Sequence, residues 1–285
     1  MAALVRSLQS ITGSVALALA MTVATSAPSS AQEEIVDVQL VLAADVSLSM
    51  SYQELRIQRD GYAAALVHDS VIQAIEDGAY GKIALAMFEW AGDESNYVVV
   101  PWTVIGSRAD AEAVAAQLSQ MTTNSARRTS ISGALDFAND LFAESGFRGL
   151  RRVVDISGDG PNNQGGPVVE ARDRLIEQGI VVNGLPMMTN GAGMSTIFDV
   201  PDLDEYYSNC VIGGPGAFMI PVNTWEQFPE AVRRKLVLEL AGPGSPAWQD
   251  HAARAPVILA ANPEVYDCLI GEKRWMNRSW NWPRP

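Results

Sequence analysis

The fold of this chain is decided by residues 38–49, which read VQLVLAADVSLS. The segment from Val38 to Ala44 is almost continuously apolar, which is typical of a central parallel strand that is buried on both faces. Further along, apolar residues recur between residues 51 and 76 at spacings compatible with one buried helical stripe: Leu55, Tyr62, Leu66, Val71 and Ile75. A buried strand followed directly by such a helix predicts an α/β fold.

The rest of the chain up to residue 240 repeats this alternation. Strands are predicted over 82–90, 97–105, 152–157, 180–185 and 217–222, and helices over 109–120, 130–144, 168–178 and 225–240. A polar loop joins the first two of those strands, so we expect them to form a hairpin at the antiparallel edge of the sheet. The sequence therefore predicts a doubly wound, mostly parallel central sheet flanked by helices, with one antiparallel edge strand.

The charge and the counts of cysteine and histidine exclude several classes of protein. The 285 residues include 33 Asp and Glu against 20 Lys and Arg, which gives a net charge of −13. Nucleic acids and anionic lipids are bound through clustered basic side chains, so neither is an expected partner. Two cysteines are too few for a disulfide scaffold or a Cys-rich zinc site. The two histidines, His68 in the helix predicted over 51–76 and His251 near the C-terminus, are interpreted as ordinary side chains.

Residues 1–31 have the pattern of a secretory signal peptide. One charge, Arg6, precedes an apolar stretch over 11–24, and small residues follow up to Ala31. The apolar stretch is shorter than the ~20 residues that a membrane-spanning helix needs, which favours cleavage after Ala31 over an uncleaved anchor. We expect an exported chain, periplasmic or extracellular, with no membrane span after cleavage. Export would place Cys210 and Cys268 in an oxidising compartment, where a disulfide between them is a hypothesis that the sequence leaves open.

The composition changes after residue 240. Residues 241–285 contain six of the 15 prolines and four of the seven tryptophans, and no periodic segment there predicts a helix or a strand. The expected organisation is a signal peptide over 1–31, one domain over 32–240 and a Pro- and Trp-rich extension over 241–285. The tryptophans are interpreted either as packing residues or as an exposed surface for a partner or a glycan.

Five oxygen-bearing side chains are predicted to meet at one edge of the sheet. Asp45, Ser47 and Ser49 follow the first strand, Thr129 immediately precedes a helix, and Asp159 follows a later strand. In a doubly wound sheet, ligands bind at the carboxyl ends of the strands. Carboxylate and hydroxyl oxygens suit Mg²⁺, Mn²⁺ or Ca²⁺ rather than zinc. The alternative is that the Asp- and Ser-rich loop only caps the following helix.

Three motifs, DVSLS over 45–49, RTSISGAL over 128–135 and SGDG over 157–160, resemble those of the von Willebrand factor A family. The resemblance covers about residues 36–240. In that family, a metal-ion-dependent adhesion site combines these motifs. The resemblance implies that Ser47, Ser49 and Thr129 bind a divalent cation directly, and that Asp45 and Asp159 hold it largely through water. It also implies that an acidic side chain of a partner protein fills the open position on the metal, so that the site serves recognition and not catalysis.

The chain departs from the family pattern at Ser157 and Gly158, where many members have an apolar residue and Thr. Asp155, inside the strand, is therefore a competing candidate ligand, although its position favours a buried structural carboxylate. Further segments resemble a bacterial branch of exported A-domain proteins of unknown function: FEWA over 88–91, DISGDGPNN over 155–163, NGLP over 183–186 and CVIGGPG over 210–216. That second resemblance implies no activity.

An enzymatic function is the main competing hypothesis. A haloacid-dehalogenase-type phosphotransferase needs a second carboxylate two residues after its first Asp, where this chain has Ser47. A serine hydrolase needs a Gly-x-Ser-x-Gly segment, and the sequence contains none. We therefore predict no catalytic residue. The alternatives to metal-dependent protein binding are a metal-free interaction scaffold and an unrecognised metal-dependent hydrolase.

Overall fold

The computed structural model describes residues 33–189, 200–242, 245–253, 257–261 and 266–280, with side chains up to Asn277 in the last segment. The predicted signal peptide lies outside these residues. None of the helices in the described segments combines the length and the apolar character that a membrane span requires.

A mixed sheet forms the centre of the described chain. Its strands are β1 Glu34–Asp45, β2 Ile83–Trp90, β3 Asn96–Ile105, β4 Phe147–Gly158, β5 Ile180–Pro186, β6 Phe218–Met219 and β7 Ile258–Leu259. The spatial order is β3-β2-β1-β4-β5-β6-β7. The five central strands run parallel, while β3 and β7 pair antiparallel at the two edges. The predicted fold class is confirmed. The second antiparallel edge was not predicted, because two residues are too few to show a strand period.

Helices cover both faces of this sheet. They are α1 Tyr52–Leu66, α2 Asp69–Glu76, α3 Arg108–Gln120, α4 Ile131–Ala143, α5 Val168–Glu177, α6 Leu203–Tyr206, α7 Phe228–Ala241, α8 Pro246–Ala252 and α9 Ile270–Trp280. Alternate residues of β1 enter two separate cores. Leu40 and Leu42 pack with α1, α2, α3 and α7, whereas Val41 and Ala43 pack with α4, α5 and α6. Burial on both faces explains the continuous apolar run of β1.

The helix predicted over 51–76 is two helices. The chain is extended at His68, with φ −71° and ψ 139°, and the backbone N–H of Ser70 donates to His68 Nδ1 at 3.1 Å. His68 therefore caps α2. The prediction that His68 lies within a helix is wrong. The apolar stripe continues across this break because both helices pack on the same core, so the period alone gave no sign of it.

The extension contains regular structure, contrary to the expectation from its composition. The helices α8 and α9 and the strand β7 all lie after residue 241. A disulfide joins Cys268 to Cys210, with their Cα atoms 5.5 Å apart. The elements described in this segment are short, and only isolated apolar residues, such as Trp248 of α8, Ile258 of β7 and Ile270 of α9, pack against the two cores. Isolated apolar residues produce no apolar period in the sequence.

Candidate functional site

The first motif forms a tight loop after β1. The backbone N–H of Ser47 donates to Asp45 Oδ1 at 2.7 Å, and that of Met50 donates to the Ser47 carbonyl at 3.1 Å. Capping of α1 is performed by Ser51, whose hydroxyl accepts from Glu54 N while the Glu54 carboxylate accepts from Ser51 N. Capping thus falls to a residue beyond the motif, which leaves the hydroxyls of Ser47 and Ser49 for other contacts.

A chain of hydrogen bonds connects the first motif to the third. The hydroxyls of Ser47 and Ser49 lie 2.8 Å apart, and Ser49 Oγ donates to Asp159 Oδ1 at 2.8 Å. Strand register explains the encounter, since Ala44 on β1 pairs with Ser157 on the parallel strand β4. The two strands end side by side, and the residues that follow them meet at the same edge of the sheet.

Thr129 reaches this edge through its backbone. Its N–H donates to Asn163 Oδ1 at 3.0 Å, and its carbonyl accepts from Asn163 N at 2.8 Å. The preceding loop is tied to the first motif, because Ala126 N donates to the Val46 carbonyl at 3.1 Å. These bonds connect the loop of Thr129 to Val46 in the first motif and to the loop that follows Asp159. Arg128, just before it, has a φ of 79°, a left-handed conformation that is uncommon for a residue other than glycine.

Asp45 is fully buried at the centre of this arrangement. Burial raises the pKa of Asp45 well above its ordinary value, and the nearby charge of Asp159 raises it further, while hydrogen bonds from Ser47 and from the backbone of Asp159 oppose the shift. Its Oδ2 atom has no hydrogen-bond partner among the described residues. A buried carboxylate with an unused oxygen beside a second carboxylate is electrostatically unfavourable, and a bound cation would offset this cost.

Gly158 is explained by close packing around that unused oxygen. A Cβ atom at residue 158 would lie 2.8 Å from Tyr207 Oη and 3.1 Å from Asp45 Oδ2. The Tyr207 hydroxyl and Trp90 Nε1 also lack hydrogen-bond partners within the described part of the chain. Tyr207 was not identified from the sequence. The departure from the family pattern at Gly158 was the available signal, because the missing side chain leaves room for a large one from elsewhere.

Asp155 has a different role from the five predicted ligands. Its Oδ1 lies 2.8 Å from Lys235 Nζ, and the same ammonium pairs with Glu239. Asn183 Nδ2 donates to Glu239 Oε1 at 3.0 Å. All four side chains are buried. Desolvation raises the pKa of Asp155, and Lys235 opposes that shift. These contacts correspond to the structural carboxylate that its position in the strand favoured.

A second buried ion pair supports the loop before Thr129. Arg59 pairs with Glu89, and both side chains are buried. Glu89 Oε2 accepts hydrogen bonds from Asn124 N and Nδ2 at 3.1 and 2.7 Å, while Arg59 Nη1 donates to the Met121 carbonyl at 2.6 Å. The sequence identifies Glu89 only as part of the segment FEWA. Its partners lie 30 and 35 residues away, so no local pattern could reveal them.

The donor set fits a hard divalent cation. The described segments contain no group of three or more His, Cys, Asp or Glu side chains placed to hold a metal. A cation at this edge would therefore need hydroxyl oxygens in addition to the carboxylates of Asp45 and Asp159. Hydroxyl and carboxylate oxygens are ligands that Mg²⁺, Mn²⁺ and Ca²⁺ accept.

Comparisons with known proteins agree with this fold. A family model described as "Protein of unknown function (DUF1194)" matches residues 35–244. A solved structure of proximal thread matrix protein 1 from the mussel byssus, with a zinc-occupied MIDAS motif, is similar at 16% identity and a TM-score of 0.51, over 73% of this chain and 49% of its own. The pilus adhesin SpaC from Lactobacillus rhamnosus GG is similar at 12% identity and a TM-score of 0.52, over 73% of this chain and 31% of its own. A comparison with curated proteins gives no match.

At 16% and 12% identity, these structural similarities show the fold alone. The predicted resemblance to von Willebrand factor A domains is confirmed at that level. The chain spans about half the length of the byssus protein and about a third of that of the adhesin.

Proposed function

The chain belongs to the DUF1194 family of proteins of unknown function, and we propose that it is an exported A-type domain that binds a partner protein through a divalent cation. The cation ligands are Asp45, Ser47, Ser49, Thr129 and Asp159. Contact between the first and third motifs carries this proposal, because Ser49 Oγ lies 2.8 Å from Asp159 Oδ1 although 110 residues separate them.

The electrostatics of Asp45 support a cation. Its carboxylate is wholly buried, has an unused oxygen among the described residues and lies near the charge of Asp159. A divalent ion bound there would offset both charges and supply an electrophilic centre for a carboxylate of the partner. The hydroxyl groups of Ser47 and Ser49 are hydrogen-bonded to each other, and their oxygens would supply neutral ligands to the cation. The byssus protein of similar fold has a zinc-occupied MIDAS motif, and the hydroxyl-rich set here favours Mg²⁺ or Mn²⁺.

The surroundings of the site support a protein partner. Leu48, between the two serines, is 58% exposed, and Tyr52 at the start of α1 is 68% exposed. Aromatic side chains are enriched in protein interfaces, and the buried core of an interface is more apolar than the rest of the surface. The net charge of −13 repels an acidic partner at long range. Attraction of an acidic side chain therefore depends on the cation, which makes partner binding sensitive to chelation.

Export is a further part of the proposal. It is supported by the signal-like pattern of residues 1–31 and by the disulfide between Cys210 and Cys268, a bond that persists in oxidising compartments. The domain over 32–240 and the extension over 241–285 would then form the exported chain.

Calorimetry with Mg²⁺ and Mn²⁺ tests the cation directly. The chain from Gln32 onward is compared with Asp45→Asn and with the control Asp60→Asn, which changes an exposed carboxylate on α1. We expect one binding event in the unmodified chain and in the control, and none in Asp45→Asn. Equal binding in all three proteins, or none in any, would contradict the metal site.

Partner capture separates the competing functions. Capture from the producing cell's envelope is carried out in Mg²⁺ and in EDTA, and we expect partners to be released by EDTA. Capture that survives EDTA would favour the metal-free scaffold. Metal-dependent phosphatase or esterase turnover that is lost in Asp45→Asn would instead favour a hydrolase.

A further inference from the structure

The C-terminal helix α9 contacts two loops of the proposed metal site, the loop before Thr129 and the loop after Asp159. The guanidinium carbon of Arg128 lies 3.3 Å from the centre of the Trp275 ring, in a cation–π contact. Asn162 Nδ2 donates to Glu272 Oε1 at 2.7 Å. Arg128 directly precedes Thr129, and Asn162 follows Asp159 by three residues. One helix thus touches the loops of two predicted ligands.

The helix is itself fixed to the domain at several points. The Cys210–Cys268 disulfide anchors the segment just before it, and Tyr266 Oη donates to Asp202 Oδ2 at 2.9 Å. At Gly271, a Cβ atom would lie 2.0 Å from the carbonyl oxygen of Asn162, so the helix backbone approaches the loop as closely as glycine permits. The position of α9 relative to these loops is therefore closely defined.

Asn162 connects α9 to the start of α4, because its side chain bonds to Glu272 and to Ser132. It is fully buried, and its Oδ1 accepts from Ser132 N at 3.0 Å, at the start of α4. Its neighbour Asn163 makes the two hydrogen bonds that hold the Thr129 backbone. The loop after Asp159, the loop around Thr129 and α9 consequently form one connected network.

The contact with Trp275 helps to hold Arg128 in an uncommon backbone conformation. A left-handed conformation at a residue other than glycine persists only where the surrounding structure imposes it. The stacked ring of Trp275 holds the Arg128 side chain on one side, and the hydrogen bonds of Thr129 hold the chain on the other.

We propose that α9 positions the Thr129 and Asp159 loops through Trp275 and Glu272, so that the extension sets the metal affinity of the site. The effect on affinity rests on the proposed metal-binding function, whereas the positioning of the loops does not. Trp275 and Glu272 are positioning residues and contact no ligand themselves.

Amide exchange measured by NMR tests the positioning without metal. The proteins compared in EDTA are the unmodified chain, Trp275→Ala, Trp275→Phe and the control Asn277→Ala, whose side chain is exposed on the same helix. We expect Trp275→Ala to speed exchange at Thr129, Ser132 and Asn163 by about tenfold or more. Trp275→Phe, which keeps a ring under the guanidinium, and the control should stay close to the unmodified chain.

Calorimetry with Mn²⁺ on the same proteins tests the effect on affinity. We expect Trp275→Ala to bind Mn²⁺ about tenfold more weakly, which is the lower end of the loss seen when a residue bonded directly to a metal ligand is removed. Faster exchange in Trp275→Ala, in a chain that binds no Mn²⁺, would support the positioning and contradict the metal site. Unchanged exchange and unchanged affinity, with only a lower melting temperature, would overturn the proposal and leave α9 as a cover for the core.

Discussion

Ser49 Oγ donates a 2.8 Å hydrogen bond to Asp159 Oδ1, joining two loops that are 110 residues apart in the sequence. The contact follows from the sheet, because β1 and β4 are adjacent, parallel and in register up to their carboxyl ends. It places a hydroxyl and a carboxylate beside the buried Asp45. This is the arrangement from which we infer a cation site.

Replacement of Asp45 by Asn should abolish stabilisation by Mg²⁺ without lowering the stability of the metal-free chain. Without metal, Asp45→Asn should be at least as stable as the unmodified chain, because it replaces a carboxyl group whose charged form is disfavoured by burial and by the charge of Asp159 with a neutral amide of the same shape. Mg²⁺ at about 100 times its Kd should stabilise the unmodified chain by about 2.7 kcal/mol and should leave Asp45→Asn unchanged. Thermal unfolding with Mg²⁺ and with EDTA measures both effects. Equal stabilisation of both proteins by Mg²⁺ would contradict the assignment of Asp45.

Gly158 should tolerate no side chain as long as Tyr207 keeps its hydroxyl. Gly158→Ala places a Cβ 2.8 Å from Tyr207 Oη and should cost about 1–3 kcal/mol in the free energy of unfolding. The control Gly160→Ala, which meets no atom within 4 Å, should cost much less. In a Tyr207→Phe background the cost of Gly158→Ala should fall. A double-mutant cycle by urea unfolding measures the coupling, and a coupling of zero would show that Tyr207 does not fill this space.

Lys235 should be among the most sensitive positions in the core. Its ammonium is buried between Asp155 and Glu239, so Lys235→Met leaves two carboxylates without a counter-charge. Loss of one partner of a buried ion pair typically costs about 3–5 kcal/mol. The control Lys82→Met removes a partly exposed pair with Glu34 and should cost less than about 1 kcal/mol. Similar costs for the two variants in urea unfolding would refute a structural role for the buried cluster.

The same cluster predicts a pH dependence of stability. Desolvation, with a further contribution from Asp155, raises the pKa of Glu239 to about 7 despite Lys235 and the hydrogen bond from Asn183. Between the unfolded pKa, near 4.5, and about 7, the folded chain holds more protons than the unfolded chain. The contribution of Glu239 to stability therefore falls as the pH rises through this window.

Glu239→Gln isolates this contribution. Relative to the unmodified chain, the variant should gain more stability at pH 8 than at pH 5, where the folded chain keeps Glu239 protonated, and the two gains should differ by on the order of 1–3 kcal/mol. Urea unfolding at both pH values gives the comparison, because contributions from other groups cancel in the difference. A difference that is the same at pH 5 and pH 8 would mean that Glu239 does not titrate in this range.

The sequence was informative where local pattern and strand order together determine geometry. The apolar run of β1 and the placement of Asp45 and Asp159 at strand ends predicted the fold and the edge at which they meet. Tyr207 and the partners of Glu89 could not be predicted, because they come from distant segments and their neighbours carry no periodic signal. The helix α9 was missed for a related reason, since Ile270 alone of its described residues packs on the core and its other attachments are a disulfide, a hydrogen bond and a cation–π contact.

The most direct test of the cation site is a crystal structure grown with Mn²⁺, with anomalous diffraction recorded to locate the metal. Our account predicts one strong anomalous peak at the carboxyl ends of β1 and β4, within about 2.0–2.6 Å of the hydroxyl oxygens of Ser47 and Ser49. A structure in which the hydroxyls of Ser47 and Ser49 still contact each other and Asp159, with no peak between them or with Mn²⁺ bound only at surface carboxylates, would contradict it.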